Sequence, residues 1–180
     1  AAGYVNVSSF INGAYWGHYT ARERLDRYFL RDNYGMDPDE VDMVKCHVGS
    51  YSAEAGNMRE YNSLYEFLLT NNMANASNYA LAKEKINIEN WVDYMITEIY
   101  FANHDWIPMY HNNMRCFRER KPNAKWNYLL WDCAFSQDNG GHSCTGCDVL
   151  NIVLTNNSTR LGQMFISLID NTEFKNYFIN

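Results

Sequence analysis

Long apolar runs and net positive charge are both missing from this 180-residue sequence. No stretch approaches the ~18 consecutive apolar residues of a membrane-spanning helix, so none is predicted. The net charge of −6 disfavours a nucleic-acid partner, because such proteins neutralise phosphates with lysine and arginine. Charged residues make up 20% and apolar residues 47% of the chain, which excludes wholesale disorder. No signal segment opens the chain, and because Ala1 comes first we expect a mature or excised piece.

Cysteine is sparse, and its number is odd. Five cysteines cannot form a complete disulfide framework, and a domain of this length does not need one. Cys144 and Cys147 are separated by two residues, and His142 comes shortly before them. This spacing is typical of a zinc ligand pair, a local disulfide or plain thiols. A structural zinc site needs a second ligand pair, which we do not find, so plain thiols are favoured.

The length and the hydrophobic pattern predict a single α+β domain. A chain of 180 residues can bury about 70% of its extended surface, which is enough for a real core. Residues 49–56 and 71–77 are polar and are predicted to be loops. The predicted elements are a hairpin over 4–20 around Asn12-Gly13, a helix capped by Thr20 with Glu23 in a capping box, a strand over 41–48, helices over 58–69 and 88–102, strands over 113–118 and 126–131, and a helix over 159–169.

Several polar side chains follow the most apolar helix in an order that suits phosphoryl transfer. Asp105 lies on the loop after that helix, Asn112 and Asn113 come next, and Asp132 follows two strands. A carboxylate on such a loop can orient a hydroxyl. A downstream amide and a second carboxylate can together hold Mg²⁺ on a triphosphate. Protein kinases use this order, so the spacing suggests a kinase-like site.

Two charged residues upstream could complete this site. Lys45 on its strand could contact phosphate oxygens, and Glu23 could form an ion pair with it. The alternative is purely structural. Asn103, Asp105 and Asn112 would then cap helix ends and turns, and Glu23 would belong to the capping box.

Six stretches across nearly the whole chain carry more specific motifs. Residues 13–26 are similar to NGxYWGxYxxRERID, and residues 126–132 lead into a motif similar to WDxDxxFG. The other four stretches are residues 37–45, 60–64, 100–106 and 171–179, the last similar to NxEFxxxFI. In this order the motifs resemble the CotH family, the spore-coat protein H kinases and their secreted bacterial relatives.

The resemblance implies an atypical protein-kinase-like fold outside the cytoplasm, in a secreted, cell-surface or spore-coat setting. It also implies an ATP-binding transferase that uses Mg²⁺ or Mn²⁺ and phosphorylates Ser or Thr of a protein substrate. By position, Asp105 matches the family's loop aspartate and Asp132 the first aspartate of WDxDxxFG. The candidate residues are therefore catalytic Asp105, metal-binding Asp132, Asn113 and Asn112, and nucleotide-contacting Lys45 and Glu23.

The sequence departs from the family pattern at three places. The family's DWPGNN is three residues longer here, over residues 105–113, which could move the Asn pair relative to Asp105. The second aspartate of WDxDxxFG is Ala134, which removes a charge and two oxygens that a hard cation needs, although Asp138 could substitute. The chain also begins inside the family domain, so we expect residues 1–180 to be a CotH kinase-like domain that is partial at its N-terminus.

Three functional hypotheses remain open. The first, slightly favoured, is an active Ser/Thr kinase in which Asp105 orients the hydroxyl. The second is a pseudokinase or structural module of a coat, cell-surface or secreted assembly, which Ala134 favours. The third is a thiol–metal module built on Cys144 and Cys147, and it ranks far behind.

Overall fold

The structure is a computed structural model that describes residues 2–136 and 146–180. Helices and antiparallel strands build one mixed domain, which confirms the α+β prediction. The elements are β1 (Tyr4–Ile11), β2 (Ala14–Arg22), α1 (Arg27–Tyr34), β3 (Val41–His47), β4 (Ser50–Ala55), α2 (Arg59–Thr70), α3 (Ala76–Lys85), α4 (Ile88–Tyr100), β5 (Met114–Glu119), β6 (Asn127–Leu129), α5 (Val149–Thr155), α6 (Arg160–Ile169) and α7 (Thr172–Ile179).

The strands form two separate antiparallel sheets. β1 and β2 make a two-stranded ribbon whose turn residues, Asn12 and Gly13, have φ angles of 49° and 81°. A two-residue hairpin turn of this kind requires positive φ at both positions, which explains the Asn-Gly pair. The other four strands lie in the order β4-β3-β5-β6. The predicted hairpin is therefore confirmed, with β2 extending to Arg22.

The four-stranded sheet carries a hydrophobic core on each face. The cross-strand partners Val44 and Cys116 face the larger core, which includes side chains of α2, α4 and α6. The neighbouring partners Met43 and Phe117 face the opposite way, where side chains of α1 cover them. Because side chains alternate along a strand, one strand pair supplies both cores.

Helix α4 is anchored to β6 by one asparagine. The Asn90 side chain donates to the carbonyl of Tyr128 at 3.1 Å and accepts from its amide at 2.6 Å. Further along, the indole N–H of Trp106, on the loop after α4, donates to the hydroxyl of Tyr94 at 2.9 Å. These bonds hold the first half of α4 beside β6 and beside the loop that follows the helix.

The predicted start of the first helix is wrong. Thr20 lies within β2, and the helix begins only after Asp26, whose carboxylate accepts from the amides of Tyr28 and Phe29 at 2.9 and 3.2 Å. Thr20 and Glu23 have the spacing of a capping box, but pairing with β1 keeps the chain extended there. Tertiary pairing outweighs the local capping signal.

The predicted loops also contain regular structure. Residues 50–55 form β4, and α3 begins within the stretch predicted as linker. In β4 the apolar residues Tyr51, Ala53 and Ala55 alternate with polar ones, a short strand pattern that the loop prediction missed, and the strand pairs with β3. α3 buries only Tyr79 and Ala82 and carries no strong periodic signal. By contrast, α2, α4, β5, β6 and α6 lie within about two residues of their predicted ends.

The described residues settle part of the cysteine question. Cys147 is disulfide-bonded, so the prediction of a plain thiol is wrong for this residue. Cys144, His142 and Asp138 lie outside the described residues. No cluster of three or more histidine, cysteine or acidic side chains suited to a metal occurs within residues 2–136 and 146–180. Over the same residues, no helix has the length and apolarity needed to cross a membrane.

Candidate active site

Asp105 lies at the centre of a small hydrogen-bonded group after α4. Its side chain is almost buried, with the residue 9% exposed. One carboxylate oxygen accepts from the Asn113 side-chain amide at 2.7 Å. The Asn112 amide lies 3.4 and 3.3 Å from the two carboxylate oxygens. The structure therefore brings Asp105 together with both members of the asparagine pair.

The three additional residues in this loop do not separate the pair from Asp105. The amide of His111 donates to the carbonyl of Trp106 at 2.8 Å, and the amide of Asn112 donates to the carbonyl of Asp105 at 3.1 Å. These two bonds close the loop on itself. Ile107, one of the residues in the longer segment, is buried and packs in the larger core. The insertion is therefore folded back, and the chain returns to Asp105.

The two asparagines differ in what their oxygens are free to bind. The Asn112 side-chain oxygen is 3.0 Å from Nδ1 of His47 and accepts from the amide of Val48 at 3.3 Å. The Asn113 side-chain oxygen has no hydrogen-bond partner among residues 2–136 and 146–180, while its nitrogen is held by Asp105. An amide oxygen is a suitable ligand for a hard cation. Asn113 is therefore the member of the pair with a ligand atom to offer.

Asp132 is connected to Asp105 through Asn113. The Asn113 amide that donates to Asp105 also lies 3.3 Å from the Asp132 carbonyl oxygen. One Asp132 carboxylate oxygen accepts from the backbone amide of Ala134 at 3.4 Å, in a short turn after β6. The other carboxylate oxygen has no hydrogen-bond partner within the described residues. The three candidate residues thus form one connected group.

A cavity of about 430 Å³ opens beside Asp132, between the β1–β2 ribbon and the end of β6. It contains one cationic side chain, Arg22, and two anionic ones, Glu23 and Asp132. Tyr4 and Trp131 contribute aromatic rings. The remaining lining residues are Ala2, Thr20, Leu25 and Leu130. A mixture of apolar, aromatic and charged groups is typical of a small-molecule site.

Trp131 is held in this cavity by a partly buried ion pair. The guanidinium carbon of Arg115 lies 4.3 Å from the centre of the Trp131 ring, a cation–π arrangement. The same guanidinium is 3.4 Å from a carboxylate oxygen of Glu54 and donates to the carbonyl of Leu25. Since Trp131 directly precedes Asp132, this packing fixes the direction of the chain entering the site.

Lys45 and Glu23 do not form the ion pair considered above. Glu23 accepts from the Gly3 amide at 2.6 Å and the Asn33 side chain at 3.1 Å, and these bonds lower its pKa, that from Gly3 most. Lys45 lies on β3, between its cross-strand partners Ser52 on β4 and Arg115 on β5. It forms no ion pair within the described residues. Glu23 lines the cavity beside Asp132, whereas Lys45 does not. Their predicted roles stay predictions.

Left-handed backbone conformations are concentrated around the site. Ala102, His111, Asn113 and Asp132 have φ angles of 50°, 50°, 59° and 52°. Residues other than glycine seldom adopt this region, and such conformations are common at functional sites. These conformations could not be predicted from sequence patterns, because a residue in a loop is compatible with many backbone conformations.

Two buried polar residues next to the site were not among the predicted site residues, although Asn103 was considered as a cap. Glu98 and Asn103 have no exposed surface, and the Asn103 amide donates to a Glu98 carboxylate oxygen at 2.7 Å. The pKa of Glu98 is raised to about 8. Burial is the main cause, the Asn103 hydrogen bond opposes the shift, and the charge of Asp132 contributes to it. Glu98 lies three residues after the buried Met95, so a carboxylate on the apolar face of α4 was the available signal.

Comparison with protein families assigns the chain. The family model described as CotH kinase protein matches residues 1–180. The chain belongs to this family. Membership suggests a kinase-like function and, in general terms, the use of ATP and a divalent metal. Neither curated proteins nor solved structures gave a match.

Two residues of the CotH site carry oxygen atoms that could bind a divalent cation. Asn113 and Asp132 each have one oxygen without a hydrogen-bond partner in the described part of the chain. Mg²⁺ in nucleotide sites usually keeps several waters and binds one or two protein oxygens plus phosphates. Asp132 lines the cavity and Asn113 contacts the Asp132 carbonyl, so these two residues are the ones that could supply such oxygens. Ala134 contributes no ligand oxygen from its side chain.

Proposed function

We propose that this CotH domain is an atypical protein kinase that transfers the γ-phosphoryl group of ATP to Ser or Thr of a protein substrate. The observation that supports this most is the connected group of Asp105, Asn113 and Asp132, of which Asp132 lines the cavity. The proposal includes a kinase-like arrangement of the fold. Its partners are a nucleotide and a protein, with no nucleic acid.

The proposed nucleotide site is the cavity beside Asp132. Arg22 is its cationic residue, and Trp131 offers a ring that Arg115 holds in place. Lys45, which has no ion pair within the described residues, remains the proposed second phosphate contact, and Glu23 remains a proposed nucleotide-contacting residue at the rim. Bringing Lys45 to phosphate would require the nucleotide to extend beyond the cavity toward β3.

Each residue of the connected group has a separate task in the proposed reaction. Asp105 orients the substrate hydroxyl and accepts its proton, and the two asparagine amides hold its carboxylate in place. Asp132 and Asn113 would hold the divalent metal, with Asn112 supporting Asp105 rather than supplying a ligand. When bound, Mg²⁺ or Mn²⁺ neutralises charge on the phosphates. Positioning accounts for most of the remaining rate enhancement.

Ala134 supports a second candidate function, a pseudokinase or structural module of a coat, cell-surface or secreted assembly. It leaves the family's metal motif with one carboxylate instead of two. Nucleotide binding without transfer would distinguish this candidate from the first. For either function we propose a location outside the cytoplasm, supported by the disulfide bond at Cys147, since disulfides persist in oxidising compartments.

The experiment that tests the proposal is transfer of phosphate from γ-labelled ATP with Mg²⁺ or Mn²⁺, to the protein itself and to a Ser-containing peptide. We expect transfer by the native chain and its loss in Asp105→Asn. Asp93→Asn, the same change at an exposed position of α4, is the matched control and should retain transfer. Activity only in Ala134→Asp would identify a kinase fold inactivated at one residue. Absence of transfer in every variant would refute the kinase proposal.

A further inference from the structure

Asn103 joins three segments that meet at the site. Its side-chain nitrogen donates to Glu98 on α4 at 2.7 Å and lies 3.5 Å from the Asp132 carbonyl oxygen after β6. Its side-chain oxygen accepts from the backbone amide of Asp105 at 3.3 Å. The residue is fully buried, so water cannot replace any of these partners. One amide group therefore contacts the helix, the loop aspartate and the segment of the second aspartate.

Capping of α4 does not account for this arrangement. The carbonyls at the end of α4 are satisfied by backbone groups: the Phe101 amide donates to Thr97 at 3.0 Å, and the Asn103 amide donates to Glu98 at 3.2 Å. The Asn103 side chain is not needed for either bond. Its contacts are directed toward Asp105 and Asp132.

The Asp105 amide and Glu98 together determine which way the Asn103 amide points. A reversed amide would place its nitrogen against the Asp105 amide, an unfavourable contact between two donors, and would remove the donor to Glu98. The other Glu98 oxygen has no hydrogen-bond partner within the described residues, although it is completely buried. An unsatisfied buried carboxyl oxygen costs stability, and in native proteins such a group often accompanies a function.

We propose that Asn103 is a positioning residue that holds Asp105 and Asp132 at their working separation, and that Glu98, with the Asp105 amide, fixes its orientation. The inference rests on the proposed function, because the separation matters only if both aspartates serve one reaction. Asn103 touches neither substrate nor metal in this proposal. It acts through the backbone amide of Asp105 and the carbonyl of Asp132.

The test exchanges the amide group of Asn103 and the carboxyl group of Glu98 between the two positions. Asn103→Asp alone buries a second carboxyl group beside Glu98 and removes the donor to the Asp132 carbonyl, so Tm and transfer should fall together. In the double variant Asn103→Asp with Glu98→Gln, the new glutamine amide can donate to the new carboxylate, so Tm should recover. The new carboxylate can still accept from the Asp105 amide, but it cannot donate to the Asp132 carbonyl. Transfer should therefore stay roughly tenfold to a hundredfold below the native rate.

Three measurements are made on each full-length variant: Tm, transfer rate with Mn²⁺ and ATP, and the Kd of a non-hydrolysable ATP analogue with Mn²⁺. Glu98→Gln alone keeps an oxygen that can accept from Asn103, and it is the single-substitution reference for the double variant. Asn87→Asp, at the opposite end of α4, is the matched control for the asparagine change and should retain transfer. If the double variant does not fold, Asn103→Ser with Glu98→Gln replaces it, with the same expected loss of transfer.

The outcomes distinguish the two proposals. A native chain that neither binds the Mn²⁺–nucleotide nor transfers phosphate refutes the proposed function, and the inference with it. A native chain that is active, together with a double variant in which both Tm and transfer recover, refutes the inference alone, because Asn103 is then only structural. Recovery of Tm without recovery of transfer is the expected result.

Discussion

Replacing Glu98 by glutamine should remove a pH-dependent penalty on folding. Glu98 is fully buried, and its pKa of about 8 in the fold compares with 4.5 for an ordinary glutamate. Between these values the folded chain keeps a proton that the unfolded chain has released, so the free energy of unfolding falls as pH rises. The slope is about 1.4 kcal/mol per pH unit, which amounts to an upper limit of roughly 5 kcal/mol between pH 4.5 and 8.

The measurement is urea unfolding of the native chain and Glu98→Gln at pH 5, 6, 7 and 8. Glutamine has the same shape and no proton to lose, so the variant should be close to the native chain at pH 5 and gain relative stability at each higher pH. Glu66→Gln, on the exposed side of α2, controls for the same chemical change. A stability difference between Glu98→Gln and the native chain that is constant from pH 5 to 8 would show that Glu98 is ionised in the fold and that the desolvation argument is wrong.

Three further predictions concern the cap of α1 and the metal site. Asp26→Ala removes the carboxylate that caps α1 and should lower the free energy of unfolding by about 1 kcal/mol in urea, with no effect on transfer. Asn113→Ala should weaken Mn²⁺–nucleotide binding more than Asn112→Ala in calorimetry, because only Asn113 has an unpartnered side-chain oxygen within the described residues; equal losses would contradict this. Without metal, Ala134→Asp should lower Tm, because the new carboxylate is repelled by Asp132. Adding Mn²⁺ should then raise the Tm of this variant more than it raises the Tm of the native chain. An equal rise in both proteins would refute residue 134 as a ligand position.

The elements that sequence patterns predicted well are those with strong local signals. Asn12-Gly13 has few alternatives to a tight hairpin turn, and the apolar stripe of α4 is long and regular. The start of α1 could not be predicted in this way, and β4 was missed because its alternating pattern is short and two of its three apolar residues are alanine. β4 exists because β3 offers an edge to pair with, and the first helix is delayed because Thr20 is held in the ribbon. Both outcomes depend on contacts between segments.

In the candidate site, too, some features could be predicted from the sequence and others depend on contacts between segments. The order of Asp105, Asn113 and Asp132 along the chain was visible, and the structure joins them by hydrogen bonds. The asymmetry between the two asparagines was not visible, since it arises from His47 at the far end of β3. The cationic residue of the cavity, Arg22, was also overlooked as a site residue, because only the extension of β2 brings it beside Asp132.

At this site the same residues have a left-handed backbone conformation and carry the candidate metal-binding oxygens. Asn113 and Asp132 are of the residue types that tolerate the left-handed region best after glycine, and both carry oxygens suited to a cation. An alanine at 113 would therefore remove the amide and strain the backbone together, and loss of transfer in Asn113→Ala would have two explanations. Asn113→Gly separates them, because glycine adopts φ of 59° without strain and still lacks the amide. Loss of transfer in the glycine variant must then be attributed to the side chain.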